Sequence, residues 1–354
     1  MASAFDIVVV PDFRGERIHV FEPRTLFFLA SWMEHGGRTR DFPMHVACIG
    51  EPPSSVRWLA QRCGARVSVH SPLSVNRGES QNKLRGLEIR GRCPRMLLLD
   101  TDVLVLADFS ELAELGDCVA AKARPGYRVP DRYWQIIYAA LGLPVPIEPT
   151  GLQRWGREVM FPYYNSGVVF APWACGLRPL WEEHMGRIAA LFDEEAPHWP
   201  AVGQSDQAAF ATTLQMLGHR GVRVVRLPEK FNEEISFEYG RGWRIAETVL
   251  FHAVGFFRGV EPGPRLVERG LRRYRARIIR KALRHYWRRV STRGRLRRLR
   301  RQLVPTLVDL HRLGRRLDRL HRKHVAEALH QNARVSSPSD LQPAAADGTD
   351  PGRG

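Results

Sequence analysis

The chain has 354 residues, 44% of them hydrophobic, and 54 Lys and Arg against 37 Asp and Glu give it a formal charge of +17. That length and apolar content exclude a disulfide-stapled miniprotein and a disordered chain, and fit one large α/β domain or two domains. Five scattered cysteines, odd in number and without a C-x-x-C pair, exclude a disulfide framework and a cysteine zinc cluster.

In chain order, FDIVVV (5–10) reads as a first strand; the segment before it has no basic n-region and no apolar run long enough for a leader. MHVACI (44–49), ARVSVH (65–70) and PRMLLLD (94–100) are further strands, β-branched or continuously apolar and bounded by Pro, Gly or charge. Helical patterns lie between them near 23–35, 53–63 and 79–90. This alternation predicts an α/β fold with a mixed, mainly parallel sheet flanked by helices, in which ligands bind beyond the carboxyl ends of the strands. Later strands are expected at 116–123, 166–172, 223–228 and 248–255, helices at 176–193 and 204–217, and a loop at 228–244. PGPR (262–265) marks a boundary. No stretch approaches the roughly 18 apolar residues of a spanning helix, so the expected location is cytoplasmic, or peripheral on the inner face of a membrane.

The +17 is unevenly distributed. Residues 265–324 hold 23 Lys and Arg and three acids, a net of +20, which leaves −3 on the other 294 residues. A nearly neutral body (1–264) therefore precedes a basic helical extension (265–330), and a Ser, Pro, Ala, Asp and Gly-rich tail (331–354) is expected to be disordered. Leu296, Leu299, Leu303, Leu310, Leu313, Leu317 and Leu320 give the extension an apolar stripe, interrupted near Pro305. Three readings fit it: contact with an anionic membrane surface, packing or self-association along the leucines, and nucleic-acid binding through counterion release. No zinc, RNA-recognition or helix-turn-helix signature supports the last, and the charge pattern favours the membrane.

The chemistry is concentrated in Met96-Leu-Leu-Leu-Asp100-Thr-Asp102. An apolar strand ending in two carboxylates one residue apart sets both at its carboxyl end, where they repel unless a cation or proton intervenes. By itself the pair fits a turn or helix cap as well as a metal site. A haloacid-dehalogenase-type phosphatase also carries Asp-x-Asp after a strand, but with Thr or Ser two residues later and near the domain start; here that position is Leu104, with a hundred residues ahead of the motif.

Together, LLLDTDVLVL (97–106), YYNSGVVFAP (163–172), QSDQAAFA (204–211) and FHAVG (251–255) resemble, in order and spacing, the signature of retaining GT-A fold glycosyltransferases, in particular the glycogenin-like and lipopolysaccharide galactosyltransferase-like group called family 8. The resemblance spans roughly residues 5–262 and implies a GT-A nucleotide-diphospho-sugar transferase domain. In that group the two aspartates and the late histidine hold Mn²⁺ with the nucleotide diphosphate, which implies Asp100, Asp102 and His252 as metal ligands and Mn²⁺ or Mg²⁺ as cofactor. Alone, His252 reads as readily as a satisfied core histidine.

The resemblance further implies Asn165, Asp206 and Gln207 as catalytic residues, Asn165 on the sugar hydroxyls and the Asp-Gln pair near the reacting carbon. For donor binding it implies Lys83, Arg85, Asp102, Ser166, Gly167, Gly255 and Arg258, with Arg258 standing where the group has a lysine. Asp12 is a weaker candidate for the base or ribose, since PDFRGERIHV lacks the usual pattern. Asp206 and Ser205 also suit a helix N-cap. The expected activity is transfer of a hexose from a nucleotide sugar, UDP-linked, to an acceptor hydroxyl on a glycan, lipid-linked or protein acceptor. A competing expectation is a catalytically weak sugar-nucleotide-binding adaptor working through its basic helices.

Overall fold

The protein is described by a computed structural model covering residues 5–73, 79–89, 91–125, 131–146, 150–151, 153–154, 157–194, 205–234 and 248–252. The basic extension, the tail, Gly255 and Arg258 lie outside the described residues. In chain order the elements are β1 (Asp6–Val9), α1 (Ile18–His35), β2 (Met44–Ile49), α2 (Ser54–Arg62), β3 (Arg66–His70), a 3₁₀ stretch (Glu79–Glu88), β4 (Arg95–Leu99) and β5 (Val103–Val105). They continue with β6 (Val119–Pro125), α3 (Asp131–Leu141), β7 (Gln153–Arg154), β8 (Arg157–Glu158), β9 (Pro162–Pro172), α4 (Leu177–Glu194), α5 (Ser205–His219), β10 (Val224–Arg226), β11 (Glu233–Glu234) and β12 (Leu250–His252).

Seven strands form the main sheet in the order β10-β6-β9-β4-β1-β2-β3. Its pairs are parallel except at β9, which runs antiparallel to both β4 and β6. The period-2 alternation of strand side chains divides the apolar residues between two cores. Ile7, Val9, Leu97, Leu99, Val168 and Phe170 face Phe28, Leu29 and Trp32 of α1, and Val56 and Leu59 of α2. Val8, Met96, Leu98, Val169 and Ala171 belong to the opposite core with Trp134, Trp181, Met185 and Phe210 from α3, α4 and α5. Strands buried on both faces explain why β1, β2 and β4 read as unbroken apolar runs.

Several boundaries differ from expectation. Helix α1 begins at Ile18, not at residue 23, and runs through Pro23; the proline removes one N–H and thereby a bond to the exposed first turn, a small loss that close to a helix end. Residues 79–88 form a 3₁₀ helix instead of an α-helix. Gly86 sits so near Val10 and Leu98 that a Cβ would lie 2.8 Å from each, which presses this segment onto β1 and β4. Strand β9 starts four residues early, at Pro162, and β6 is displaced to Val119–Pro125. Tertiary pairing sets those limits, since propensity does not mark them. Helix α3 falls in a stretch to which the sequence pattern assigned no element, and the loop expected over 228–244 contains β11. No helix among the described residues is long and apolar enough to cross a membrane.

Trp181 joins two parts of the second core: its ring lies 4.5 Å from that of Phe210, and its Nε1 donates to the Asp206 carbonyl at 3.1 Å. Replacing it with alanine leaves a cavity beside Phe210 and removes a hydrogen bond to the first turn of α5. Urea denaturation of Trp181→Ala is expected to show a loss of about 3–5 kcal/mol, with Trp181→Phe retaining most of the stability.

Candidate active site

Strand β4 ends at Leu99, and Asp100-Thr101-Asp102 turns the chain out of the main sheet into β5. The turn is closed by a Val103 N–H bond to the Asp100 carbonyl at 3.1 Å. Strand β5 belongs to a second sheet of order β11-β12-β5, in which β5 and β12 are antiparallel and His252 is registered opposite Val103. That pairing sets the imidazole next to Asp102. His252 Nε2 is 3.2 Å from Asp102 Oδ1 and 3.7 Å from Asp100 Oδ2. One ligand atom from each of the three residues lies within 4.8 Å of the others. Asp102 and His252 are buried, whereas the Asp100 side chain is 28% exposed and forms the open side of the cluster.

The opposing strand is shaped to fit. Strand β9 slips against β6 between Ala121 and Lys122, whose partners are Val169 and Asn165, so Ser166–Val168 have no counterpart on β6. Such bulges re-aim backbone next to functional sites. Here the Gly167 carbonyl accepts the Asp100 N–H at 2.8 Å, and the missing side chain makes room for the histidine. A Cβ on Gly167 would lie 2.2 Å from His252 Cε1 and 2.6 Å from Nδ1.

The orientation of the imidazole follows from a chain of hydrogen bonds anchored at a backbone donor. Gly167 N–H donates to Asn165 Oδ1 at 2.7 Å, which identifies that atom as the oxygen. The same oxygen accepts from Asn232 Nδ2 at 3.1 Å. Asn232 Oδ1 then faces His252 Nδ1 at 3.1 Å and accepts a hydrogen bond from its N–H. With Nδ1 bonded there, Nε2 is left facing the two carboxylates, where it donates as an imidazolium or offers a lone pair to a cation. Two carboxylate oxygens and Nε2 thus converge on one place, where a proton or a cation relieves their repulsion, and the donor set fits a divalent ion. Lys122, at the β6 slip, secures Asn232 by donating from Nζ to its carbonyl at 2.9 Å.

Two fixed cations flank the pair. Lys83 Nζ lies 2.8 Å from Asp100 Oδ1 and donates to Ser166 Oγ at 3.0 Å. Arg24 Nη1, from α1, lies 3.5 Å from Asp102 Oδ2. Burial opposes ionisation of Asp102, but His252, Arg24 and Lys83 outweigh it and hold its pKa below the ordinary carboxylate range. Lys83 shows the mirror case: burial favours the neutral amine, yet Asp100, Asp206 and Asp102 raise its pKa. The Asp206 pKa is raised by burial, with Asp100 adding to the rise and Lys83 and the backbone N–H groups of Gln207 and Asp206 itself opposing it. Asp206 thus lies in the first turn of α5, where a carboxylate complements the helix dipole, and shares the electrostatic field of the cluster. Gln207 Oε1 accepts the Tyr163 hydroxyl proton at 2.5 Å, tying α5 to β9.

Of the residues expected at the site, the fold gathers Lys83, Asp100, Asp102, Asn165, Ser166, Gly167, Asp206 and His252. Asn165 is buried, with its oxygen accepting from Gly167 and Asn232, which makes it part of the hydrogen-bond chain that orients the histidine. Arg85 bonds Glu88 through Nη1 at 2.9 and 2.8 Å and the carbonyls of Ser71 and Pro72, and none of these contacts joins it to the cluster. Asp12 is buried under Arg14, Arg17 and Asn82, each at 3.0 Å or less; these bonds hold its pKa low against burial. Sequence reasoning missed Asn232, Lys122 and Arg24. An Asn in a short 3₁₀ turn, a Lys in an apolar strand and an Arg after a helical Pro carry no local signal.

Comparison with known proteins adds the following. No curated protein matches the chain. Among solved structures, the galactosyltransferase LgtC with donor and acceptor sugar analogs is 17% identical, with 73% of this chain and 89% of that one covered and a TM-score of 0.41. Mouse xyloside xylosyltransferase 1 is 13% identical, covering 73% and 99%, with a TM-score of 0.43. The glycosyltransferase GlyE of Streptococcus pneumoniae is 13% identical over 71% of this chain, with a TM-score of 0.42; this chain spans 54% of the length of GlyE. The mixed sheet with its antiparallel β9 is the GT-A arrangement expected from the four motifs. The family model of the Rhodobacterales glycosyltransferase domain matches residues 23–233, from α1 into β11. That span is more than half of the chain, and the protein therefore belongs to this glycosyltransferase family.

Proposed function

We propose that the protein transfers a hexose from a nucleoside diphosphate sugar, UDP-linked, to an acceptor hydroxyl, with Mn²⁺ or Mg²⁺ held by Asp100, Asp102 and His252. The observation that carries this reading is the convergence of Asp100 Oδ2, Asp102 Oδ1 and His252 Nε2 in one cluster. Two carboxylates and an imidazole suit Mn²⁺ and leave positions for phosphate oxygens. When bound, the ion neutralises charge on the departing nucleoside diphosphate.

The chain's own residues supply the rest. Lys83 holds a positive charge beside Asp100 and orders Ser166, and an ammonium there attracts the anionic donor. Gly167 leaves room for His252, and the Asn165–Asn232 relay keeps Nε2 turned inward. Asp206 and Gln207, at the N-terminus of α5, are assigned to the donor sugar, with the Gln207 amide beside the reacting carbon. Their support is the field that Asp206 shares with Lys83 and Asp100, together with the motif resemblance. Retention of configuration rests on that resemblance. The division into a catalytic domain (1–264), a basic extension (265–330) and a tail (331–354) belongs to the same proposal, with the extension bringing the enzyme to an anionic membrane surface near its acceptor.

Three measurements test these assignments. Purified protein with Mn²⁺ and a panel of UDP-sugars is expected to release UDP, and Asp102→Asn to slow that release by about a thousandfold; equal rates for the two would overturn the metal assignment. Asn232→Ala, which frees the imidazole, is expected to weaken Mn²⁺ binding by about 10–100-fold in calorimetry while the fold persists. The full chain is expected to sediment with phosphatidylserine vesicles and not with neutral ones, and a chain ending at residue 264 to stay in the supernatant. Equal sedimentation with both lipids would refute the membrane role.

A further inference from the structure

Arg24 does not belong to any motif, yet the fold brings it to the carboxylate pair. It lies on α1, where Ser31, seven residues on and so on the same face of the helix, accepts the Val105 N–H at 3.0 Å through its Oγ. That bond fastens α1 to the strand that starts one residue after Asp102. The position of Arg24 is therefore set by packed backbone on both sides. Its side chain is only 16% exposed, and its Nε is buried without a hydrogen-bond partner among the described residues. Burying a guanidinium with a donor unsatisfied is costly and persists where a nearby opposite charge offsets it. Asp102 is that charge, with its Oδ2 3.5 Å from Nη1.

The two carboxylates are treated alike. Asp100 gives Oδ1 to Lys83 and turns Oδ2 toward His252, whereas Asp102 gives Oδ2 to Arg24 and turns Oδ1 toward His252. Two negative charges are thus balanced by two built-in cations, and each carboxylate has one oxygen left to offer. A divalent cation arriving alone meets two carboxylates that are already paired, with two positive groups beside it. One arriving with a diphosphate brings its own compensating anion.

We propose that Arg24 is a positioning residue that occupies Oδ2 of Asp102, keeps the metal site charge-balanced, and so makes binding of the divalent cation depend on the nucleoside diphosphate. The inference rests on the metal reading above. It predicts reciprocal coupling: UDP tightens Mn²⁺ binding, and Mn²⁺ tightens UDP binding by the same factor. Removing the guanidinium lifts a nearby repulsion and frees the second oxygen of Asp102, so Mn²⁺ alone binds more tightly and UDP improves it less.

The test is Mn²⁺ titration of the full chain followed by electron paramagnetic resonance of the free ion, with and without UDP, on wild type, Arg24→Gln, Arg24→Met and Arg24→Lys. Both neutral variants are expected to bind Mn²⁺ alone about tenfold more tightly than wild type, with the enhancement by UDP reduced by the same factor, and the lysine variant to stay close to wild type. Thermal melting supplies a second readout: the neutral variants melt lower without metal and gain a larger upward shift from Mn²⁺ than wild type. Wild type that binds Mn²⁺ with UDP, beside neutral variants whose constants and melting shifts match it, overturns the role of Arg24 and leaves the metal reading standing. Wild type that binds no Mn²⁺ even with UDP overturns both.

Discussion

Asp100 and Asp102 stand one residue apart at the end of a buried strand, where two negative charges repel far more strongly than in water. The surrounding structure answers that repulsion element by element. The 3₁₀ segment pressed onto β1 and β4 by Gly86 delivers Lys83 to one carboxylate. Helix α1, fastened to β5 through Ser31, delivers Arg24 to the other. Strand β12 pairs with β5 and presents His252 to both. Without these groups the pair would have to be protonated or more exposed to water.

The same arrangement explains why β9 departs from regular pairing. A regular strand would carry a side chain where His252 sits, and its N–H groups would be consumed by β6. The slip at Ala121/Lys122 and the glycine at position 167 remove both obstacles. The Gly167 N–H then starts the relay through Asn165 and Asn232 that fixes the imidazole. The irregularity, the glycine and the asparagines form one device, and replacing any single member affects the others. Asn165 is the link in that device between the Gly167 backbone and Asn232.

Much of the architecture was legible in the sequence. Strands β1, β2, β3 and β4 and helices α2, α4 and α5 lie within a residue or two of their apolar patterns, because each is bounded by Pro, Gly or charge and buries a continuous or periodic face. Elements defined by their partners were not legible: β5 and β11 are two or three residues long and exist because each pairs with β12, which itself lies inside the strand expected at 248–255. The cluster of Asp100, Asp102 and His252 was accessible only because four motifs stood in the expected order. Lys83 followed from its place before the Asp-x-Asp strand, whereas Arg85, two residues on in a tighter helix, is turned to Glu88.

The amino-acid sequence by itself determined the fold class, the carboxylate pair at a strand end, the ordered motifs around it and the separation of a nearly neutral body from a +20 segment. These are local properties: burial pattern, residue type and charge along the chain. Only the tertiary structure decided which cations neutralise Asp100 and Asp102, which asparagine orients the imidazole, and that Arg24 is part of the site. Those contacts join residues separated by 67 to 83 positions in the cases of Asn165–Asn232 and Lys83–Ser166. A hydrogen bond or an ion pair at that separation depends on the position of both backbones to within an ångström or so, and no property of either residue's neighbours along the chain encodes that distance.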